Sequence, residues 1–498
     1  MPTSVVPLDK ATLLPLCVDL DGTLVKSDTL HDSTLVLARQ RPADLLRLPG
    51  SLLHGKASLK RYITSAVELD VAYLPYNREL LQYLQQQHAT GRPIYLATAA
   101  DITLAQRVAD HLELFTGVLA SDGVVNLAGN NKLTAFRQHF GDNFSYIGNA
   151  LPDLSILQHC QQPMVANPTR SLRAALRSAR ITPVRSFQEQ ASPFKAWPRA
   201  LRIHQWAKNA LIFLPLLLAH AWAPALLVGA AVAFLSFGLC ASATYIVNDL
   251  LDLESDRQHT RKRRRPFASG DLSALAGVAV VLLFLAAAAV LAVALPHIVK
   301  AISPSSVLAT PYQISFLGWL AAYLVTTLAY SLRLKRAVLV DVIVLSGLYT
   351  IRILAGAAAT GITISPWLGG FSIFFFLSLA FVKRFAELES LRERGGASIS
   401  GRGYHVADIE QLRSFGTASA YASVVVLTLY ISNLTAAELY SHTNRLWLLV
   451  PVLLLWLSRL WLLASRGQLH EDPVVYAITD KRSLFLGLLV VLIVLFSL

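Results

Sequence analysis

The run Asn248-Asp249-Leu250-Leu251-Asp252-Leu253-Glu254-Ser255-Asp256 places three acids at i, i+3 and i+7. On a helix Asp249, Asp252 and Asp256 share one face, with Asn248 beside it. Three carboxylates so placed repel one another unless a cation neutralises them. Oxygen-only ligands suit Mg²⁺, which keeps several waters and bridges to substrate phosphates. Five consecutive basic residues, Arg261 to Arg265, follow. They suit a cytoplasmic loop, and they would draw anionic lipid and polyphosphate toward the acids.

The elements that must position these residues divide the chain in two. It has 498 residues, is 54% hydrophobic and carries a formal charge of +13. Residues 1–200 read as soluble protein, whereas residues 201–498 hold repeated apolar runs long enough to cross a bilayer. Nine segments are predicted, near 207–221, 223–247, 272–296, 312–331, 337–360, 366–387, 415–434, 445–465 and 483–498. Loops after the even segments carry clusters such as SLRLKR and TDKR, and loops after the odd ones carry almost no Lys or Arg. The even loops and the N-terminal domain are therefore expected on the cytoplasmic side of a bacterial-type inner membrane, with the C-terminus outside. The start MPTSVVPLDK has no basic n-region of a signal peptide. Residues 161–200 mix Arg, Lys, Trp and Leu and read as a basic interfacial linker, or as a solvated one. Cys17, Cys160 and Cys240 are far apart and suggest neither a disulfide framework nor a zinc site. No nucleic-acid-binding motif is present, so the basic balance is assigned to the membrane.

The acidic run resembles the motif of the UbiA superfamily, intramembrane prenyltransferases with nine transmembrane helices and NDxxDxxxD after the second. RIHQWAKN at 202–209, RRPFASG, YSLRLKR at 330–336 and EDPVVYAITDKRS at 471–483 resemble the branch that moves 5-phosphoribose from phosphoribosyl pyrophosphate (PRPP) to a polyprenyl phosphate. Aromatic prenyltransferases carry a second Asp-rich motif near segment six. Here that place holds FVKRFAEL, with Lys383, Arg384 and Glu387. One carboxylate cluster facing cations suits a donor with more phosphates than metals can hold. Lys208, Lys335, Arg336, Arg352, Lys383 and Arg384 are the candidate phosphate clamps. Asp341, on the same segment as Arg352, either contacts another part of the site or pairs with a neighbouring helix. Two other readings remain: an aromatic or small-acceptor prenyltransferase with an accessory phosphatase, and a lipid transporter with a regulatory head.

The segment LLPLCVDLDGTLV reads as a buried strand ending in Asp19-Leu20-Asp21-Gly22-Thr23. With PIYLAT ending at Thr98, Lys132 in NNKLTAF, and FSYIGNALPD leading to Asp153, it resembles the haloacid dehalogenase (HAD) superfamily over residues 12–160. The resemblance implies that Asp19 attacks phosphorus and Asp21 acts as acid and then base. It implies that Thr98 and Lys132 hold the phosphate. Asp19, Asp153 and the backbone carbonyl of Asp21 would hold Mg²⁺. The fourth motif usually opens on an acid, but here that place is Asn149. The helical stretch 28–88 would form a small cap. The expected fold is thus a Rossmann-like α/β HAD domain (1–160), the linker (161–200), and an all-α polytopic membrane domain of about nine helices (201–498). The expected function is a bifunctional, Mg²⁺-dependent membrane enzyme. It would transfer phosphoribose to the lipid and then dephosphorylate it.

Overall fold

The computed structural model describes residues 14–189, 191–304, 314–396, 402–433, 439–469 and 472–498. The start MPTSVVPLDK lies outside them. The chain forms two compact units, Met1–Leu201 with Tyr245–Val281, and Arg202–Thr244 with Leu282–Leu498. The acidic run, expected as part of the membrane domain, thus belongs to the same unit as the N-terminal head.

The head is built on six parallel strands: β1 (Leu16–Val18), β2 (Ile94–Asp101), β3 (Gly117–Ser121), β4 (Ser145–Gly148), β5 (Gln162–Ala166) and β6 (Arg185–Phe187), in the order β3-β2-β1-β4-β5-β6. Both faces are covered at the centre, so β1 is apolar throughout, whereas the edge strand β6 carries exposed Arg185 and Ser186. Along β1 the side chains alternate: Leu16 and Val18 enter one core with Leu37 and Leu84, and Cys17 enters the other with Phe136 and Phe144. The strand order reverses between β1 and β4. Ligands of open α/β sheets bind at that point, beyond the carboxyl ends of the strands.

The head extends further than expected. β5 and β6 pair into the sheet within residues assigned to the linker. The helix Arg170–Ser178 buries Leu172 and Leu176 in the head's core. Its arginines face outward because the helix is amphipathic, a pattern that a membrane-surface helix shares. The stretch expected as a cap forms the helices Thr29–Gln40, Leu48–Leu53, Lys56–Ala66 and Arg78–Ala89, of which the first and last bring Leu37 and Leu84 into the sheet's core.

In the second part of the chain, six helices among the described residues are long and apolar enough to cross a membrane. They are Pro224–Leu251, Ala274–Ile302, Val340–Thr360, Pro366–Arg392, Val406–Ile431 and Thr443–Ser465. Phe316–Leu332 is apolar but has 17 residues, and Lys481–Ser497 is equally short; a perpendicular span takes about 20. The predicted segment 207–221 differs most. It forms the 3₁₀ helix Ile203–Phe213 and a short α-helix, Leu214–Leu218. Pro215 in the first turn has no N–H to give to a longer α-helix. The Ile212 carbonyl lies so close to Gly356 that a Cβ there would meet it at 2.1 Å.

Candidate active sites

In the head, the residues singled out in the sequence meet at the reversal point. Asp19 follows β1, Thr98 lies in β2, and Asn149 follows β4. Lys132, from the helix Asn130–Phe140, donates to Asp19 Oδ1 at 2.8 Å and to the Tyr146 hydroxyl at 3.1 Å. Asp19, Thr98, Lys132 and Asp153 are all buried. Burial works against the Lys132 ammonium, but Asp19 and Asp153 outweigh it and raise its pKa. Asp21 accepts from the Thr29 N–H at 2.7 Å. Its pKa is pushed up to about 7 by burial, with Asp28 adding to the effect. A carboxyl in that range can both donate and accept a proton near neutral pH.

Asp153 is engaged on both oxygens. Oδ1 accepts from Tyr146 Oη at 2.7 Å, and Oδ2 from the N–H groups of Asn149 and Ala150, each at 3.0 Å. It fastens the loop after β4. The Asn149 amide sits against Gly22 (φ +74°), where a Cβ would meet its nitrogen at 1.9 Å, so only glycine fits. Oxygen donors suitable for Mg²⁺ are therefore the Asp19 carboxylate, the Asp21 carbonyl and the Asn149 side chain. Sequence reasoning missed Lys60 of the helix Lys56–Ala66. It donates to the Ala99 carbonyl at 2.6 Å and to Asn126 at 2.9 Å, and burial lowers its pKa while Asp21 and Asp28 oppose that.

The acidic run does not keep all three acids on one face. The helix Pro224–Leu251 ends just before Asp252, and Leu253–Gln258 begins just after it. Backbone bonds from Asp252 N–H to the Asn248 carbonyl and from Asp256 N–H to the Asp252 carbonyl cross the break. Asp249 and Asp256 converge: Arg265 Nη1 lies 3.0 Å from Asp249 Oδ1 and 2.7 Å from Asp256 Oδ2. Asp252 swings to Arg39 of the head, at 3.2 Å. Among the described residues no three His, Cys, Asp or Glu side chains gather as a metal site. The converging pair nevertheless fits Mg²⁺, which needs only one or two carboxylates when water and substrate phosphate complete its shell. The Arg265 guanidinium already places a positive charge between them. Burial raises the Asp256 pKa and Arg265 opposes the rise.

The membrane unit holds a separate charged cluster. Asp472 Oδ2 accepts from Lys208 Nζ at 2.8 Å and Lys383 Nζ at 3.0 Å, and Oδ1 accepts from Tyr349 Oη at 3.2 Å. Arg352 lies 4.8 Å from the Tyr323 ring and bonds Asn209 at 2.9 Å. Two of the six predicted clamps, Lys208 and Lys383, thus share Asp472, and Arg352 lies 5.8 Å from the Tyr349 ring beside them. Asp472, which caps the helix Pro473–Thr479, was not singled out; an Asp before Pro reads first as a helix cap. Arg384 is committed elsewhere. It is fully buried, 2.6 Å from Asp341 and from Glu387, and donates to Tyr330 at 2.9 Å. Its charge is consumed by two carboxylates, so it is a structural ion pair rather than a free phosphate clamp. This also settles Asp341, which pairs with the neighbouring helix. Lys335 and Arg336 lie in the turn Leu334–Arg336, where Arg336 is exposed.

Comparison with known proteins agrees with this layout. The UbiA prenyltransferase family matches residues 210–489. The uncharacterized protein y4nM of Sinorhizobium fredii is 37% identical over 96% of this chain and 90% of its own length. Nodulation protein NoeC of Azorhizobium caulinodans is 35% identical over 59% of this chain and 90% of its own. Decaprenyl-phosphate phosphoribosyltransferase of Mycobacterium tuberculosis is 36% identical over 40% of this chain and 62% of its own. The chain belongs to the UbiA prenyltransferase family, as a multi-pass membrane protein whose UbiA domain is joined to a head built on a parallel α/β sheet.

Proposed function

We propose that the membrane domain transfers 5-phosphoribose from PRPP to a polyprenyl phosphate and that the head then removes the 5-phosphate. The observation that carries the reading is the pair Lys208 and Lys383 on a single carboxylate, Asp472, with Arg352 lying 5.8 Å from the ring of Tyr349, whose hydroxyl bonds the same carboxylate. Two ammonium groups sharing one acid, with the Arg352 guanidinium nearby, leave positive charge for a phosphate-rich donor. The similarity to phosphoribosyltransferases over part of the chain supports the same donor. The head faces the cytoplasm of a bacterial-type inner membrane, and the C-terminus lies outside.

In the first step the C1–O bond to diphosphate breaks and a phosphate oxygen of the lipid bonds to C1. That oxygen is already anionic, so no strong general base is needed. The chain's work is to position the two substrates and to balance their charge. Asp249 and Asp256 would hold Mg²⁺ for this step, and Asp19, Asn149 and the Asp21 carbonyl would hold it in the head. When bound, Mg²⁺ neutralises charge on the phosphoryl oxygens. In the second step Asp19 attacks the 5-phosphate phosphorus while Asp21 protonates the departing ribose oxygen. Water then attacks the aspartyl-phosphate with Asp21 as base, releasing inorganic phosphate.

Membranes supplied with ribose-labelled PRPP, polyprenyl phosphate and Mg²⁺ should carry label in the lipid fraction. Label that stays in the aqueous phase, together with consumption of a prenyl diphosphate, would favour the aromatic-acceptor reading instead. Lys383→Gln should raise the KM for PRPP by about 10- to 100-fold, because a charged hydrogen bond contributes about 1.5–3 kcal/mol. Initial rates against PRPP concentration measure this; an unchanged KM would remove Lys383 from the donor site.

A further inference from the structure

The loop that carries the acidic run also reaches the catalytic loop of the head. Arg257, next to Asp256, is buried at 6% exposure. Its Nη2 lies 2.9 Å from Asp32 Oδ2 and donates to Ser27 Oγ at 3.1 Å, and its Nε donates to the Ala268 carbonyl at 3.2 Å. Ser27 donates to Asp32 in turn, at 2.6 Å. Asp32 belongs to the helix Thr29–Gln40, whose first N–H, that of Thr29, holds Asp21. At the far end of that helix Arg39 pairs with Asp252 and donates to the Leu251 carbonyl at 2.9 Å. Gly270 (φ +75°) closes the contact, since a Cβ there would meet Lys26 Cβ at 2.8 Å. One helix therefore touches the phosphatase acid at its start and the acidic run at its end.

We propose that Arg257 is a positioning residue for the head: by neutralising Asp32 it fixes the helix Thr29–Gln40, and through Thr29 it aims Asp21 at the departing oxygen. A buried Asp32 without its partner would draw in water or move, and the helix would shift with it. The shift would displace Asp21 without touching the groups that hold the phosphate, Thr98 and Lys132. The loss should therefore fall on kcat rather than on KM. The loop of the transferase metal site thus becomes part of the scaffold of the phosphatase, which explains why the two share one compact unit.

The inference rests on the phosphatase reading of the head, and two readouts on the full chain in lipid nanodiscs separate them. The first is turnover of para-nitrophenyl phosphate by Arg257→Met, Arg257→Lys, Asp32→Asn and the Arg257→Met/Asp32→Asn pair. Arg257→Met should lose about tenfold in kcat with KM within about twofold, since small misplacements of catalytic groups cost at least that much. Arg257→Lys should recover part of the loss, and the pair should be no worse than Arg257→Met alone. The second readout is amide hydrogen exchange over residues 19–34, which should quicken in Arg257→Met. If that variant fails to assemble, Asp32→Asn, which keeps the shape of the side chain, carries both readouts. An unaltered kcat with unaltered exchange, a loss confined to KM, or single losses that multiply in the pair would each overturn the inference. A wild-type protein without turnover would remove the phosphatase reading, and the exchange result would still decide whether Arg257 fixes the loop.

Discussion

Asp19→Asn should stop the reaction sequence after its first step. The change keeps the shape of the side chain and its contact with Lys132 but removes the nucleophile. Hydrolysis of a soluble phosphomonoester should fall by about 10,000-fold or more, the usual cost of losing a covalent nucleophile. Ribosyl transfer should continue, because Asp19 is not among the residues that bind PRPP in this account. The lipid fraction should then accumulate polyprenyl-phosphoryl-ribose that still bears its 5-phosphate. Mass spectrometry separates it from the wild-type product by one phosphate group. Identical lipids from the two proteins would show that the head acts on something else.

Removing the converging acids should have the opposite signature. Asp249→Asn with Asp256→Asn leaves Arg265 without its two carboxylates and removes both charged oxygens of the converging pair. Transfer should fall by about 1,000-fold or more, several kcal/mol of transition-state stabilisation. Asp252→Asn should cost much less, because Asp252 is turned to Arg39. A rate measurement on the three single variants tests that ranking. Equal losses at all three positions would show that Asp252 rejoins the others when substrate binds.

The ranking marks a limit of what the linear sequence can convey. Spacing of i, i+3 and i+7 correctly pairs Asp249 with Asp256, two turns apart. It misses Asp252, whose partner Arg39 lies more than two hundred positions away and carries no local signal. The head was legible through Asp19 and Thr98, because parallel strands bring such residues to one edge of the sheet, and through Lys132, a helix residue found from its place in NNKLTAF. Asp153 was read as a ligand, and in the structure its oxygens accept from Tyr146 and from the backbone of the loop after β4, contacts that carry no signal in the motif itself. In the membrane unit Lys208 was selected as a cation of RIHQWAKN, and Lys383 because FVKRFAEL stands where aromatic prenyltransferases carry a second Asp-rich motif. The same argument selected Arg384, yet charge type alone could not separate a phosphate clamp from an ion pair with Asp341.

The most direct test follows both steps in one reaction. PRPP carrying tritium in the ribose ring and ³²P at the 5-phosphate is incubated with polyprenyl phosphate, Mg²⁺ and the wild-type protein in nanodiscs. The account predicts tritium in the lipid fraction without ³²P, and ³²P released as inorganic phosphate. Tritium and ³²P entering the lipid in the donor's own ratio, or no tritium in the lipid at all, would contradict it.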